Sequence, residues 1–466
     1  MTDRSRLLRG GARAVTGLLV TAAAVGGVVL MGNVPLPSVV HEPLALTVDT
    51  TQDTARTLAC AGSFSELGAD PARPGVAIPV GEATTAVSGE ASGTATLARG
   101  EGTGLPSVVF APMSQPLAAA QFQAIDTENL RGAAASSCAE PSNEQWIMGG
   151  ASSLGFSTTL SLGNPGTVPA TVSIAVYDEN GAVDSVQTAG VIVAPGTQQT
   201  VSLNGYAPDR ERLAVRVVST GAPVTAHVGV AQSSGITPFG VSGATPQVEP
   251  STSLVIPAIE NADGDDRGPN DSGEGDAFPF IVRALAPGEL AGTASVRVLD
   301  KNGKSTEVGE IELAPNAVGE LSVGTLPDGA NALVIDADVP IIAGAAGSAD
   351  DADTREHDFE WFAPAPVIAA DAEVAAPVVA GGRLVVVNPA DAEAEITIAR
   401  ADGKGKDTTE TVRPGAAVVL DAPANAILTS SAPVHAGVRY VSDSAIAGYP
   451  ILAPDPRDGT LTVYPR

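Results

Sequence analysis

Apolar and polar residues alternate in short runs along most of the chain, the period of a strand with one buried face. The clearest run is Ala170-Thr171-Val172-Ser173-Ile174-Ala175-Val176-Tyr177, followed by Asp178-Glu179-Asn180-Gly181, residues that tolerate the positive φ of a hairpin turn. One phrase is written three times: Val217-Val218-Ser219-Thr220-Gly221-Ala222-Pro223-Val224-Thr225-Ala226, Val334-Ile335-Asp336-Ala337-Asp338-Val339-Pro340-Ile341-Ile342-Ala343, and Ile427-Leu428-Thr429-Ser430-Ser431-Ala432-Pro433-Val434-His435-Ala436. Each copy reads as two apolar strands around a small-polar-Pro turn, so one β unit is used repeatedly. The run Leu160-Ser161-Leu162-Gly163-Asn164-Pro165 is answered by Leu384-Val385-Val386-Val387-Asn388-Pro389. Helix signals are nearly absent, the best short candidate being 118–129.

These signals predict an all-β chain in which an N-terminal transmembrane helix precedes tandem immunoglobulin-like β-sandwich modules. The boundaries read as a basic tail at 1–13, an anchor at 14–31, a Pro-punctuated stalk at 32–49 and a cysteine-bracketed β region at 50–145. Sandwich repeats follow at 146–248, 277–346 and 374–466, separated by acidic linkers at 249–276 and 347–373. Within the β region, 89–104 is rich in Gly, Ala and Thr and reads either as an alternating strand pair or as a mobile loop.

The N-terminus bears on compartment. Arg4, Arg6, Arg9 and Arg13 precede an uncharged stretch from Ala14 to Met31, which as a helix would span roughly 27 Å against a hydrocarbon core of about 30 Å. Basic flanks stay cytoplasmic, which places residue 32 onward outside. A retained single-pass anchor fits better than a cleaved signal, because cleavage at Ala22-Ala23-Ala24 would leave an apolar core of only about eight residues. Cleavage would instead make the protein secreted.

Composition refines this picture. The hydrophobic content of 44% is mostly Ala and Val with 3% aromatics, which suits thin layers between sheets. A formal charge of −28 excludes nucleic acid as a partner, since that needs clustered Lys and Arg. The two cysteines, Cys60 and Cys138, fall on the oxidising side and are expected to form a disulfide.

Candidate chemistry is sparse. The acidic runs 261–266 and 270–276 carry oxygen ligands but lack the Gly and Glu positions of a calcium loop, and read as solvated loops. The stretch 350–358 mixes carboxylates with His357 and reads the same way, so no metal ligand is assigned. Four histidines, His41, His227, His357 and His435, have no nucleophile elbow nearby, and no zinc, Walker or dinucleotide motif occurs. No catalytic residue or cofactor is implied. Trp146 and Trp361 are the candidate partner or ligand contacts, Trp361 because Phe359 and Phe362 flank it inside an acidic linker.

Leu58-Ala59-Cys60-Ala61-Gly62, Cys138-Ala139-Glu140-Pro141, Gln145-Trp146-Ile147-Met148-Gly149-Gly150 and the Asn164-Pro165 turn together resemble an uncharacterised family of actinobacterial envelope proteins. That resemblance implies single-pass, N-terminally anchored chains with extracytoplasmic β domains, and it implies no catalytic residue. The resulting expectation is a non-enzymatic scaffold that contacts an envelope protein or cell-wall glycan. The alternative is an extracytoplasmic glycan- or ligand-binding module.

Overall fold

The computed structural model describes residues 16–26, 46–49, 55–184, 190–263, 279–351, 354, 356–453 and 460–463. They fall into two units, Met1–Gln52 with Arg457–Arg466, and Asp53–Pro456. In the smaller unit, residues 16–26 are helical and Leu46–Asp49 pairs antiparallel with Thr460–Val463. That helix takes eleven residues of the expected anchor, about 17 Å of rise; residues 14, 15 and 27–31 lie outside the described residues. No helix among the described residues is long and apolar enough to cross a membrane. The last strand therefore pairs with the stalk segment rather than closing the third repeat.

The three repeats of the larger unit share one strand order. With the two-residue strands Gly181–Ala182 and Ala262–Asp263 left out and the two halves of Ala330–Asp351 counted separately, each repeat has eight strands, one sheet running 1-6-3-4 and the other 5-2-7-8. In the first repeat these are Glu144–Met148, Ala214–Thr220, Ala170–Asp178 and Val191–Val193 against Thr197–Ser202, Phe156–Asn164, Thr225–Ser234 and Thr237–Ala244. In the third they are Val374–Pro377, Asn425–Ser430, Ala394–Arg400 and Thr408–Val412 against Ala416–Leu420, Arg383–Asn388, His435–Val441 and Ile446–Pro450.

The repeated phrase is the crossing from strand six to strand seven, where the chain leaves one sheet for the other. Pro supplies no amide there and so cannot continue the first ladder. In the second repeat the crossing is a single bent strand, Ala330–Asp351. Its first half pairs with Ser251–Pro257 and Gly292–Asp300, its second with Phe280–Leu285 and Glu356–Phe362.

Two expectations are corrected here. The stretches 249–276 and 347–373 are not wholly linkers: Ser251–Pro257 and Glu356–Phe362 are the first and last strands of the second repeat. The short helix candidate at 118–129 is instead a strand, Leu117–Asp126. Strand geometry puts Gln121 and Gln123 on one face, where their amides serve the backbone of the preceding loop. Gln121 Oε1 accepts from the Gly62 amide at 2.9 Å and Gln123 Oε1 from that of Phe64 at 2.8 Å. The stretch 89–104, left open between strands and a loop, includes the strand Gly93–Thr96, paired with Ser107–Pro112.

The Asn-Pro turns have a shared function. Asn164 and Asn388 are fully buried. Asn164 Nδ2 donates to the carbonyls of Val168 and Val193, and its Oδ1 accepts from Gly166. Asn388 repeats this with Ala392, Val412 and Ala390. Each side chain thus ties the end of strand two to strand four. Replacing Asn388 with Ala strands buried carbonyls and is expected to cost about 2 kcal/mol, read as a lowered denaturant midpoint.

The sandwiches do not hang as separate beads. Their closing strands, Arg131–Ser137 from the cysteine-bracketed region, Thr237–Ala244, Glu356–Phe362 and Ile446–Pro450, pack on one another. Small residues permit this approach. A Cβ on Gly243 would lie 2.9 Å from the Ala135 carbonyl oxygen, and one on Gly240 would lie 2.6 Å from the Phe359 ring.

Candidate functional site

Two carboxylates stand where the four closing strands meet. Asp358 and Glu360 are both 0% exposed and, two residues apart on one strand, share a side of it. Asp358 Oδ2 accepts from the amides of Ala133 at 2.8 Å and Ile446 at 3.1 Å, and Oδ1 from that of Val241 at 3.0 Å. One side chain on the second repeat therefore bonds the cysteine-bracketed region and both other repeats. Glu360 Oε2 accepts from Ser242 Oγ at 3.0 Å, while Oε1 has no hydrogen-bond partner among the described residues.

Burial is the dominant influence on both groups. It pushes Asp358 up to about 8 against the backbone amides that favour its anion. It pushes Glu360 well above the usual carboxylate range, with the neighbouring Asp358 charge adding to the effect.

The histidines are built into the same contacts. His227 Nε2 donates to the Ser137 carbonyl at 3.2 Å, His357 Nδ1 to that of Phe239 at 2.7 Å, and His435 Nδ1 to that of Ala365 at 2.8 Å. Burial lowers His227 and His357 to about 4 and moves His435 in the same direction. All three therefore act as neutral donors that tie backbone segments together. His227 also lines a cavity of about 40 Å³ between the cysteine-bracketed region and the first repeat, together with Ser65, Gln121 and Ser136. That volume suits water-sized occupants.

Of the residues singled out in the sequence, Cys60 and Cys138 are joined as a disulfide. It sits in an apolar cluster with Leu58, Val109, Leu117 and Ala119. Trp146 is not part of that cluster. It packs with Met148, Tyr177, Leu285 and Ile342, between the first and second repeats, and Arg216 lies over its ring at 5.2 Å.

Trp361 is only 5% exposed. Although it belongs to the second repeat, it enters the core of the first, alongside Phe359 and Leu162. The Arg283 guanidinium lies 4.8 Å from its ring, and Arg283 Nη1 donates to the Gly150 carbonyl at 2.8 Å. Gly149, at φ +138°, is required by this contact, because a Cβ there would lie 2.8 Å from the Trp361 ring. Neither tryptophan presents a face to solvent.

The acidic run 264–276 lies outside the described residues. Among those described, no group of three or more His, Cys, Asp or Glu could hold a metal. Asp358, read in the sequence as part of a solvated loop, and Glu360, not singled out there, are instead a buried pair. The signal available was the strict alternation of Asp358, Glu360 and Phe362 with His357, Phe359 and Trp361, a strand pattern with carboxylates on the repeating side.

No curated protein matches the chain. Residues 79–423, about three quarters of its length, match a family profile described as a family of unknown function, DUF5719. The matched stretch includes Ala133, Val241 and Asp358 and stops short of Ile446. The chain belongs to the DUF5719 family of unknown function.

Proposed function

We propose that the chain is a non-enzymatic, extracytoplasmic scaffold of the cell envelope, of actinobacterial type, held to the membrane through its N-terminal segment. The observation that carries this reading is where the chain places its reactive and aromatic groups. Trp146, Trp361, three histidines and the carboxylate pair all lie within contacts between sandwiches. Groups used in this way make a stiff body and leave the outer sheet faces to meet a partner. The disulfide suits an oxidising compartment, and the arginine-flanked apolar run suits an anchor.

The repeats are immunoglobulin-like in their inner strands. Strand two pairs with five and three with six, as B pairs with E and C with F in that fold. The outer strands differ, since strand one lies beside six and strand seven beside two.

The test is recovery of partners crosslinked in native envelope to the tagged full-length chain, followed by mass spectrometry. Reproducible recovery of one membrane or wall-assembly protein is the expected outcome. Recovery of cell-wall glycan alone would replace the scaffold reading with the binding-module reading.

A further inference from the structure

We propose that Asp358 and Glu360 form a proton-binding latch. The pair holds a proton while the cysteine-bracketed region and the three sandwiches are packed, and release of that proton loosens the closing strand Glu356–Phe362 from its three neighbours.

The geometry supplies both halves of the argument. The first is connection: Asp358 bonds the amides of Ala133, Val241 and Ile446, one from each neighbouring closing strand. Any rearrangement around it is felt in the cysteine-bracketed region and in all three sandwiches. The second is an unmet charge. Glu360 is fully buried; the Ser242 hydroxyl and the Gly243 and Gly448 amides favour its anion, yet Oε1 has no hydrogen-bond partner among the described residues and burial outweighs them. Two carboxylates this close in a dry site do not both ionise without disrupting it.

The surrounding groups do not neutralise the pair. On the same strand stand Glu356 and His357, and Glu356 takes Arg131 at 2.5 Å. The strand Arg131–Ser137 offers only that arginine, Thr237–Ala244 offers no titratable group, and Ile446–Pro450 offers Tyr449, which bonds Pro377. The long strand of the second repeat brings Asp350 and Asp351, whose positions pair with His357 and Glu356. His227, on the neighbouring strand of the first repeat, is neutral. No ion pair among the described residues places a cation on Asp358 or Glu360.

The sign follows from linkage. A carboxyl whose folded pKa lies above its unfolded value contributes stability that is complete at acid pH and is lost as pH rises through the folded pKa. For Asp358 that upper limit is about 8. The buried histidines act in the opposite sense, because their folded pKa values are lowered to about 4. Their contribution is complete above about 6.5, the unfolded value, and is lost as pH falls toward 4. At pH 6.5 the unfolded histidines are still half protonated and oppose the carboxyl pair; toward pH 8 they lose their protons and the carboxyl pair dominates.

The test is equilibrium unfolding of the full-length chain across that window, beside Glu360→Gln, which keeps the shape and removes the acid. In the wild type the unfolding constant should rise with pH toward pH 8, by up to tenfold per unit for each proton held, and in the variant the rise should shrink to the part that Asp358 alone supplies. Equal slopes in the two proteins would overturn the latch. A second readout does not depend on the variant folding: infrared spectra of the wild type should show a protonated carboxyl at pH 6.5 that disappears through pH 8. Its absence at pH 6.5 would also overturn the latch.

Discussion

Replacing Trp361 with Ala is expected to lower the unfolding free energy of the Asp53–Pro456 unit by about 3–5 kcal/mol, the range for deleting a large buried aromatic. The loss has two sources. The indole fills the core of the first repeat from the second, so its removal opens a cavity that neither sheet can close without separating the two repeats. It also removes the ring beneath the Arg283 guanidinium, leaving a cation 7% exposed whose burial already lowers its pKa, though Glu320 still pairs with it at 2.7 Å. A shift in denaturant midpoint measures the effect. Trp361→Phe, which keeps part of the volume, should recover a substantial share of it. A loss under about 1 kcal/mol for the alanine variant would mean that the contact between repeats is not tight. The same placement predicts that added oligosaccharide leaves the fluorescence of Trp361 unchanged.

Much of the fold is legible in the sequence because the repeats are locally encoded. Alternation finds Ala170–Asp178, and the Pro-centred phrase marks the crossing between sheets in all three copies. The paired Asn-Pro turns likewise correspond to the buried Asn164 and Asn388 brackets. In the second repeat Ala286-Pro287 stands at that turn. There Asn316, at φ +58°, binds Gly288 from the other side. The same connection is thus made by a residue that no sequence comparison of the turns would select.

What was not legible depends on contacts between distant segments. Ala118-Ala119-Ala120 has a helical preference, but its neighbours on both sides are strands, and the glutamines that follow are needed at a period of two. Glu356–Phe362 looks like linker because carboxylates interrupt its apolar side. Those carboxylates are tolerated only because amides from the cysteine-bracketed region and the two other sandwiches converge there. The approach of the closing strands depends on Gly132, Gly240, Gly243 and Gly448, and a glycine in a strand gives no indication of what passes close to it. The carboxylate pair was therefore visible as composition but not as a site.

The second large effect is expected at Cys60 and Cys138. The bridge closes a loop of about 79 residues, and in the chain-entropy model its removal costs about 4 kcal/mol. Its surroundings make it a staple for the region that most needs one. That region has two three-stranded sheets and one two-stranded sheet, rich in Ala, Gly and Ser, side chains that carry less apolar area than Val or Ile. The double variant Cys60→Ala with Cys138→Ala keeps the apolar cluster around Leu58 and Val109 while removing the covalent tie. Its midpoint should fall to that of the reduced wild type, and adding reductant to the variant should change nothing. Because the closing strand Arg131–Ser137 runs directly into Cys138, the loss should spread to the strands it packs against. Hydrogen exchange at the Ala133 amide, which donates to Asp358 at 2.8 Å, should quicken along with exchange inside the cysteine-bracketed sheets. Unchanged protection at Ala133 would mean that the four closing strands hold together without help from the disulfide.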